Sequence, residues 1–366
     1  MQIGVDAAVL SAKDERLKLG VYTVVLHLLA ELAKLDKRNS YRLYTYSPLT
    51  KDILSKLSPI MKNSVLAPNI GWFTLRLPME LLVKPVDVYL GVSQAVPRFA
   101  LSFNIGFIYD LAFIHIPEAY SDANRLMKLT GQLIDRSEHI VTISNSTKED
   151  ILKNFKIPEN KISVAYLGVD DIFSQYGVKF IGSHPYFLFV GALKIGKNIP
   201  AIIEAFSRFL KGSSKVYDLL LVGSDYWLDG EINKTINKLQ ITNRVKILGT
   251  VATRDLPAYY RGATSFVSPS LWEGFCIPVA EAMSCGCPVI VSDRGALPEV
   301  VDNAGLIVNP KSIEDIAGAM RLIAGDIFKR TQLVQMGLAR AKIFSWSNFT
   351  KSVLSVINKY EHKTIR

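Results

Sequence analysis

Short apolar runs alternate with amphipathic segments along the whole chain. Residues 3–6 read as a strand. Residues 20–35 read as a helix, with Val21, Val24, Val25, Leu28, Leu29 and Leu32 on one face and Thr23, His27, Glu31 and Lys34 on the other. Further strands are predicted at 41–46, 86–90, 105–109 and 139–143. Ser146 and Glu149 match the two ends of a capping box, which predicts a helix from there to Phe155, stopped by Pro158. A second series follows, with strands predicted at 186–190, 219–222, 245–248, 265–268 and 288–292. Helices fall between them at 201–210, 231–239, 256–261 and 278–284, and three more close the chain at 312–323, 327–343 and 346–360.

Strand–helix alternation with apolar strands implies parallel sheets covered on both faces. Two such series predict an α/β protein of two Rossmann-like domains facing across a cleft. A stretch of weak periodicity at 168–184 marks the boundary. The expected division is 1–175, then 176–345, with 346–366 a closing helix packed back toward the first domain. Open parallel sheets bind ligands at the carboxyl ends of their strands, so two facing domains suit a reaction that joins two substrates.

Composition narrows the class. The 366 residues are 49% hydrophobic and 21% charged, which excludes a disordered, collagenous or simple coiled-coil chain. Cys276, Cys285 and Cys287 fall in one short stretch without zinc-like spacing, so reduced thiols in a reducing compartment are expected. No basic, apolar leader opens the sequence and no window matches a spanning helix, which predicts a cytoplasmic protein, soluble or peripheral on the inner face of a membrane. The net charge is +10, with 20 basic and 17 acidic residues up to position 170 and 23 and 16 beyond it. That spread carries no nucleic-acid signature and fits an anionic substrate or an anionic membrane. Lys13, Arg16, Lys18, Lys34, Lys37, Arg38 and Arg42 cluster near the start, and Trp72, Phe73 and Leu75 beside Arg76 read as an interfacial segment.

The segment from Pro269 to Glu281, P-S-L-W-E-G-F-C-I-P-V-A-E, holds the most chemistry. A strand ends at Ser268, Pro269 and Gly274 shape a turn, and Pro278 suits the first position of a helix. The amides of Gly274, Phe275, Cys276 and Ile277 would then face outward at a helix N-terminus, where a diphosphate binds well. Glu273 and Glu281 stand eight residues apart, and carboxylates accept from the paired hydroxyls of ribose or a hexose.

Glu273 to Glu281 resembles the E-x7-E signature of the family 4 retaining glycosyltransferases, which have the GT-B fold. The flanking residues 282–301, A-M-S-C-G-C-P-V-I-V-S-D-R-G-A-L-P-E-V-V, and 304–310, A-G-L-I-V-N-P, resemble that family too. So do 109–120, Y-D-L-A-F-I-H-I-P-E-A-Y, on the acceptor side, and T-I-S-N-S-T-K-E-D-I at 142–151. L-G-V-D at 167–170, Y-F-L-F-V-G-A-L-K-I-G-K-N at 186–198 and F-S-W at 344–346 complete a likeness that spans nearly the whole chain.

The resemblance implies a hexosyltransferase, mannose from GDP-mannose being the leading choice, that acts on a glycan or lipid-linked acceptor in polysaccharide synthesis. It implies that Glu281 binds the ribose hydroxyls and that Glu273 meets the donor sugar near its reacting face. The amides of Gly274–Cys276 would hold sugar and phosphate, with Ile277 beside them. Lys197 would neutralise the departing diphosphate. Gly191 and Lys194 join the donor site, Gly20 lets backbone approach the phosphates, and backbone at Val251 meets the base. Asp110 and His115 are the catalytic candidates of the acceptor-side segment. The chain departs from the family at Cys276, where Gly is common, at Ala192 and Gly196, where Arg is common, and at Tyr109, where many relatives have His. Lys194 is the candidate replacement for the missing cation. Attack from the front face, no cofactor and no obligatory metal are implied, and no D-x-D triplet is present.

Two other classes stay open at the level of sequence. Gly191 to Asn198 reads G-x4-G-K-N, one residue from the phosphate loop of an NTPase, although Asn198 lacks the hydroxyl that would ligate Mg²⁺. A catalytically inactive sugar-nucleotide-binding scaffold would keep the fold and lose the transfer.

Overall fold

The computed structural model describes residues 1–12, 20–68, 70–224 and 230–361. Lys13, Arg16 and Lys18 of the basic cluster lie outside these residues. The chain forms two compact units. One comprises Met1–Ile114, Asp122–Gly168 and Trp346–Arg366, the other His115–Ser121 and Val169–Ser345. The change of unit thus falls at 168/169 rather than 175/176, and residues 115–121 belong with the second unit.

The first unit is a seven-stranded parallel sheet. Its strands are β1 (Gln2–Asp6), β2 (Ser40–Thr45), β3 (Met61–Val65), β4 (Val88–Gly91), β5 (Phe103–Ile108), β6 (His139–Thr142) and β7 (Ile162–Val164). Their order is β3-β2-β1-β4-β5-β6-β7. Every pairing is parallel, with Asp6 at the end of β1 opposite Tyr44 of β2. Apolar side chains of β1, β2 and β4 are fully buried, as expected of strands covered on both faces. Helix Val21–Leu35 seals one face with Val24, Val25, Leu28, Leu29 and Leu32. Its other face is not simply solvated, because His27 stacks on Trp346 at 4.5 Å. Helix Trp346–Asn358 buries Trp346, Phe349, Val353, Val356 and Ile357 within this unit.

Two local readings are corrected. Ser144, not Ser146, caps helix Asn145–Asn154, accepting from the amide of Thr147 at 3.1 Å. Strand β6 ends at Thr142, so Ser144 is the last extended residue before the helix and its hydroxyl reaches the third amide on. Trp72 is buried in the core rather than interfacial, whereas Leu75 is exposed.

The second unit has six parallel strands: β8 (Tyr186–Val190), β9 (Asp218–Val222), β10 (Val245–Gly249), β11 (Ser265–Ser268), β12 (Val289–Ser292) and β13 (Leu306–Val308). Their order is β10-β9-β8-β11-β12-β13. Phe206 and Phe209 of helix Ile199–Lys211 pack edge-to-face on Phe187, and Phe209 likewise on Tyr217, in the core. In both units the strand order reverses beside the first strand, at β1/β4 and at β8/β11. Each reversal opens a crevice at the carboxyl ends of the strands. Among the described residues no helix is long and apolar enough to cross a membrane.

Candidate active site

The crevice of the second unit lies beyond β8 and β11. Strand β8 ends at Val190 and Gly191 follows (φ +149°); a Cβ on Gly223, just past β9, would sit 1.8 Å from the carbonyl oxygen of Gly191. Only glycine permits that approach. The chain then makes a single 3-10 turn, Ile195–Lys197. Asn198 follows in the left-handed region (φ 58°) and caps helix Ile199–Lys211. Its amide nitrogen donates to the carbonyls of Pro269 (3.1 Å) and Pro310 (2.8 Å), and Leu271 N donates to Gly196 O at 2.8 Å. The G-K-N stretch is therefore tied to the segment leaving β11. Asn198 acts as a strut, which disfavours the phosphate-loop reading.

This tie brings together side chains 76 positions apart in sequence: Lys197 Nζ forms an ion pair with Glu273 Oε1, both largely buried. Glu273 is also gripped from behind. Ala296 N donates to Glu273 O at 2.9 Å, and Gly295 (φ +58°) lies so close that a Cβ would be 2.4 Å from that oxygen. Trp272, the preceding residue, stacks face to face on His115.

Helix Ile277–Ser284 begins one residue earlier than expected, with Pro278 second. Proline fits either place, because neither amide has an intrahelical partner. Cys276 is the N-cap, at φ 72° and ψ 74°. Here the chain carries a side chain where a left-handed backbone favours glycine, so the loop keeps a glycine-like geometry at a cost of roughly 1 kcal/mol. The thiol is buried, 3.8 Å from Ser268 Oγ, and burial pushes it up to about 12, so it stays protonated. Cys276, Cys285 and Cys287 are all free and buried. Phe275 turns its ring inward, edge-on to Phe344, so its side chain is core and only its backbone is left for a ligand. Gly274, Cys276 and Ile277 donate none of the described backbone hydrogen bonds, as befits amides at a helix start.

Glu281 lies in the second turn of this helix and is only partly exposed. Tyr260 Oη donates to its Oε2 at 2.8 Å. Burial, with the nearby charge of Asp170, raises the carboxyl from its ordinary 4.5 to about 7, against the lowering effect of Tyr260. A carboxylate so placed gains from hydroxyl donors.

The remaining predicted residues are divided between the two units. Lys194 is exposed, and Val251 follows β10 at the carboxyl edge of the same sheet. Gly20 (φ +51°) and Asp110 belong to the first unit. Gly20 caps helix Val21–Leu35, and Asp110 Oδ1 accepts from Ala112 N at 3.0 Å. Tyr109 is buried and donates to Val92 O at 2.7 Å. Sequence reasoning missed Gly223, Tyr260 and Gly295. Gly223 carried a signal, since β8 and β9 each end in Val followed by Gly. Tyr260 and Gly295 carried none that local pattern reveals.

Comparison with known proteins gives the family and the fold. The family model described as "Glycosyl transferases group 1" matches residues 177–337. O-antigen chain mannosyltransferase B of Escherichia coli is 30% identical over 282 residues, 73% of each chain. O-antigen chain mannosyltransferase RfbU of Salmonella typhimurium is 32% identical over 219 residues, 59% of each chain. Among solved structures, sucrose-phosphate synthase from Thermosynechococcus elongatus superposes with a TM-score of 0.79 at 17% identity, covering 98% of both chains. HepE of Anabaena, solved with UDP-glucose, gives 0.75 at 16% identity over 98% of this chain and all of the other. The fold is GT-B, with two Rossmann-like domains. The chain belongs to the group 1 glycosyltransferases, among their mannosyltransferase-like members.

Proposed function

We propose that the protein transfers mannose from GDP-mannose to a glycan or lipid-linked acceptor in polysaccharide synthesis, with retention at the anomeric carbon. The observation that carries this reading is the Lys197–Glu273 pair beside the start of helix Ile277–Ser284. As the bond from the sugar C1 to the phosphate oxygen breaks, negative charge grows on the diphosphate. Lys197 and the amides at the helix start meet that charge, and one such preorganised group is worth about 3–4 kcal/mol. The acceptor hydroxyl forms the new C1–O bond on the face the diphosphate leaves, and its proton passes to the departing phosphate oxygen. No protein acid is required, and the charge is met without a metal. Glu273 contacts the donor sugar, and Glu281 accepts from the ribose hydroxyls. His115 stacks on Trp272, the residue before Glu273, and so positions that turn.

Peripheral contact with an anionic membrane is part of this reading. Leu75, Met79, Leu82 and Val83 are exposed along residues 75–83, beside Arg76 and Lys84.

A thermal-shift panel with GDP, UDP, ADP and ATP, each with EDTA and with Mg²⁺, tests the donor site. Ligand at 100 times its dissociation constant stabilises by about 2.7 kcal/mol. A shift with GDP in EDTA is expected, and radiolabelled mannose transfer with NMR of the product anomer then tests sugar and stereochemistry. A shift with ATP and Mg²⁺ alone would overturn the reading. Nucleotide binding without transfer in any acceptor mixture would favour the scaffold.

A further inference from the structure

The second unit holds a cavity at the amino ends of its sheet. Strands β8, β11 and β12 start beside it, whereas the proposed donor site lies at their carboxyl ends. The cavity measures about 550 Å³, the size of a small-ligand site. Its charge is one-sided. Lys179, His184, Arg261 and Arg330 line it, and none of the described residues that line it is Asp or Glu. Asp218, at the start of β9 beside His184, does not redress the balance. It is buried and already paired with Lys246 at 2.7 Å, Arg244 at 3.4 Å and His184 at 3.4 Å. Lys179 is exposed and Arg330 half-buried, and neither side chain makes an ion pair or hydrogen bond among the described residues. Like charges gathered without a counter-charge repel one another, so the cavity favours an anion.

The backbone around these cations is firmly held. Arg261 Nε donates to Val178 O and its Nη1 to Ser174 O, both at 2.8 Å, which folds the chain before β8 over the guanidinium. A Cβ on Gly177 (φ +122°) would lie 3.0 Å from Arg261 Nη2, so glycine lets that turn close in. Phe180 stacks on Tyr259 at 4.3 Å, and its amide donates to Ala258 O at 2.9 Å. A Cβ on Gly262 would sit 2.1 Å from Phe180 O, a second close approach. Lys179 and the Gly182–Ser183 turn are therefore carried on anchored backbone. The amides of Gly182 and Ser183 donate none of the described backbone hydrogen bonds, which leaves them for an acceptor. Arg330 reaches the cavity from the first turn of helix Ile327–Ala341. Three cations exceed the charge of one carboxylate. A phosphomonoester carries about −1.5 to −2 near neutral pH, and a guanidinium fork matches its oxygens. Pro185, Pro288 and Val334 add apolar wall for an organic moiety.

We propose that this cavity binds the phosphate group of an organic phosphate, held by Lys179, Arg261 and Arg330, as a ligand separate from the nucleotide-sugar. The test is isothermal titration calorimetry of the full chain with glucose 6-phosphate, glycerol 3-phosphate, fructose 1,6-bisphosphate and dihexanoyl phosphatidylglycerol, with glucose as the uncharged control. The double variant Lys179→Ala/Arg330→Ala removes two of the cations and spares Arg261, which pins the wall. Lys197→Met, at the other edge of the sheet, reports any binding at the donor site. At least one phosphate is expected to bind saturably where glucose does not. Its affinity should fall at least tenfold in the double variant and stay unchanged in Lys197→Met. The double variant should keep the wild-type Tm and the GDP-induced thermal shift. Binding of phosphatidylglycerol alone, with the same dependence on Lys179 and Arg330, would support the site and assign its phosphate to a lipid headgroup. No binding by any of the four phosphates, equal binding in the double variant, or binding lost in Lys197→Met overturns the proposal. Failure of GDP to bind would sink the donor-site reading instead, since the titrations do not depend on it.

Discussion

Replacing Gly295 by Ala should disable the proposed donor site through the backbone of Glu273. Gly295 sits at φ +58°, where an L side chain costs about 1–2 kcal/mol. Lower entropy of the unfolded alanine chain returns about 0.5–1 kcal/mol. The steric term comes on top. The new Cβ would lie 2.4 Å from Glu273 O and 2.9 Å from Glu273 N, so the backbone must yield by about 0.6 Å to reach even 3.0 Å. Overpacking on this scale costs about 1–3 kcal/mol. The sum is ~3 kcal/mol, or a fall of ~6–12 °C in Tm for a unit of this size. Because the atoms displaced belong to Glu273, which pairs with Lys197, turnover should fall further, by roughly 100-fold for a shift approaching 1 Å. Gly286→Ala isolates the backbone term. Gly286 is also left-handed (φ +71°), but its nearest neighbour, Gln175 Cβ, would be 3.7 Å from the new atom. That variant should lose ~1 kcal/mol and keep its turnover. Differential scanning fluorimetry and release of nucleoside diphosphate measure both quantities. Gly295→Ala matching wild type in Tm and turnover would refute the claim that this contact sets the position of Glu273.

Lys197→Met should lower kcat by 10²- to 10³-fold, the effect of losing one preorganised charge-stabilising group, in an assay of diphosphate release at saturating donor. Glu281→Gln should remove a pH dependence of stability. The raised folded-state carboxyl binds a proton that the unfolded chain has lost between pH 4.5 and 7, so wild-type stability relative to the variant should fall as pH rises through that window and level off above it. The swing is at most about 3 kcal/mol, read from urea melts at pH 4.5, 6 and 8. Leu82→Asp with Val83→Asp, at positions 54% and 76% exposed, should abolish sedimentation with phosphatidylglycerol vesicles at low salt and leave GDP binding unchanged. Equal sedimentation of variant and wild type would argue against that face.

Central strands were the most legible part of the fold. The strands predicted at 186–190 and 265–268 coincide with β8 and β11, because strands buried on both faces are written as unbroken apolar runs. The edge strands β3, β7 and β13 were not predicted. They are short and partly exposed, and Met-Lys-Asn-Ser-Val carries no apolar run. The helix after Cys276 was legible from Pro278, although its first residue was not. Helix Val21–Leu35 had its apolar face right, while His27 on the opposite face found a partner 319 positions away in Trp346.

The sequence alone determined the alternation of strand and helix, the number of sheets, and the two carboxylates flanking a helix start, because each is written in residues close together. Tertiary structure decided the rest. It chose Glu273 as the partner of Lys197, through Asn198 bonds that span 71 and 112 positions. It set Tyr260 on Glu281, pressed Gly295 against the backbone of Glu273, and drew Trp72, Tyr89 and Ser93 around the buried carboxylate of Asp6. Local pattern reports which face of an element avoids water. It is silent on which distant side chain meets that face, since that depends on strand order and on loops whose conformations are fixed only when both ends are packed.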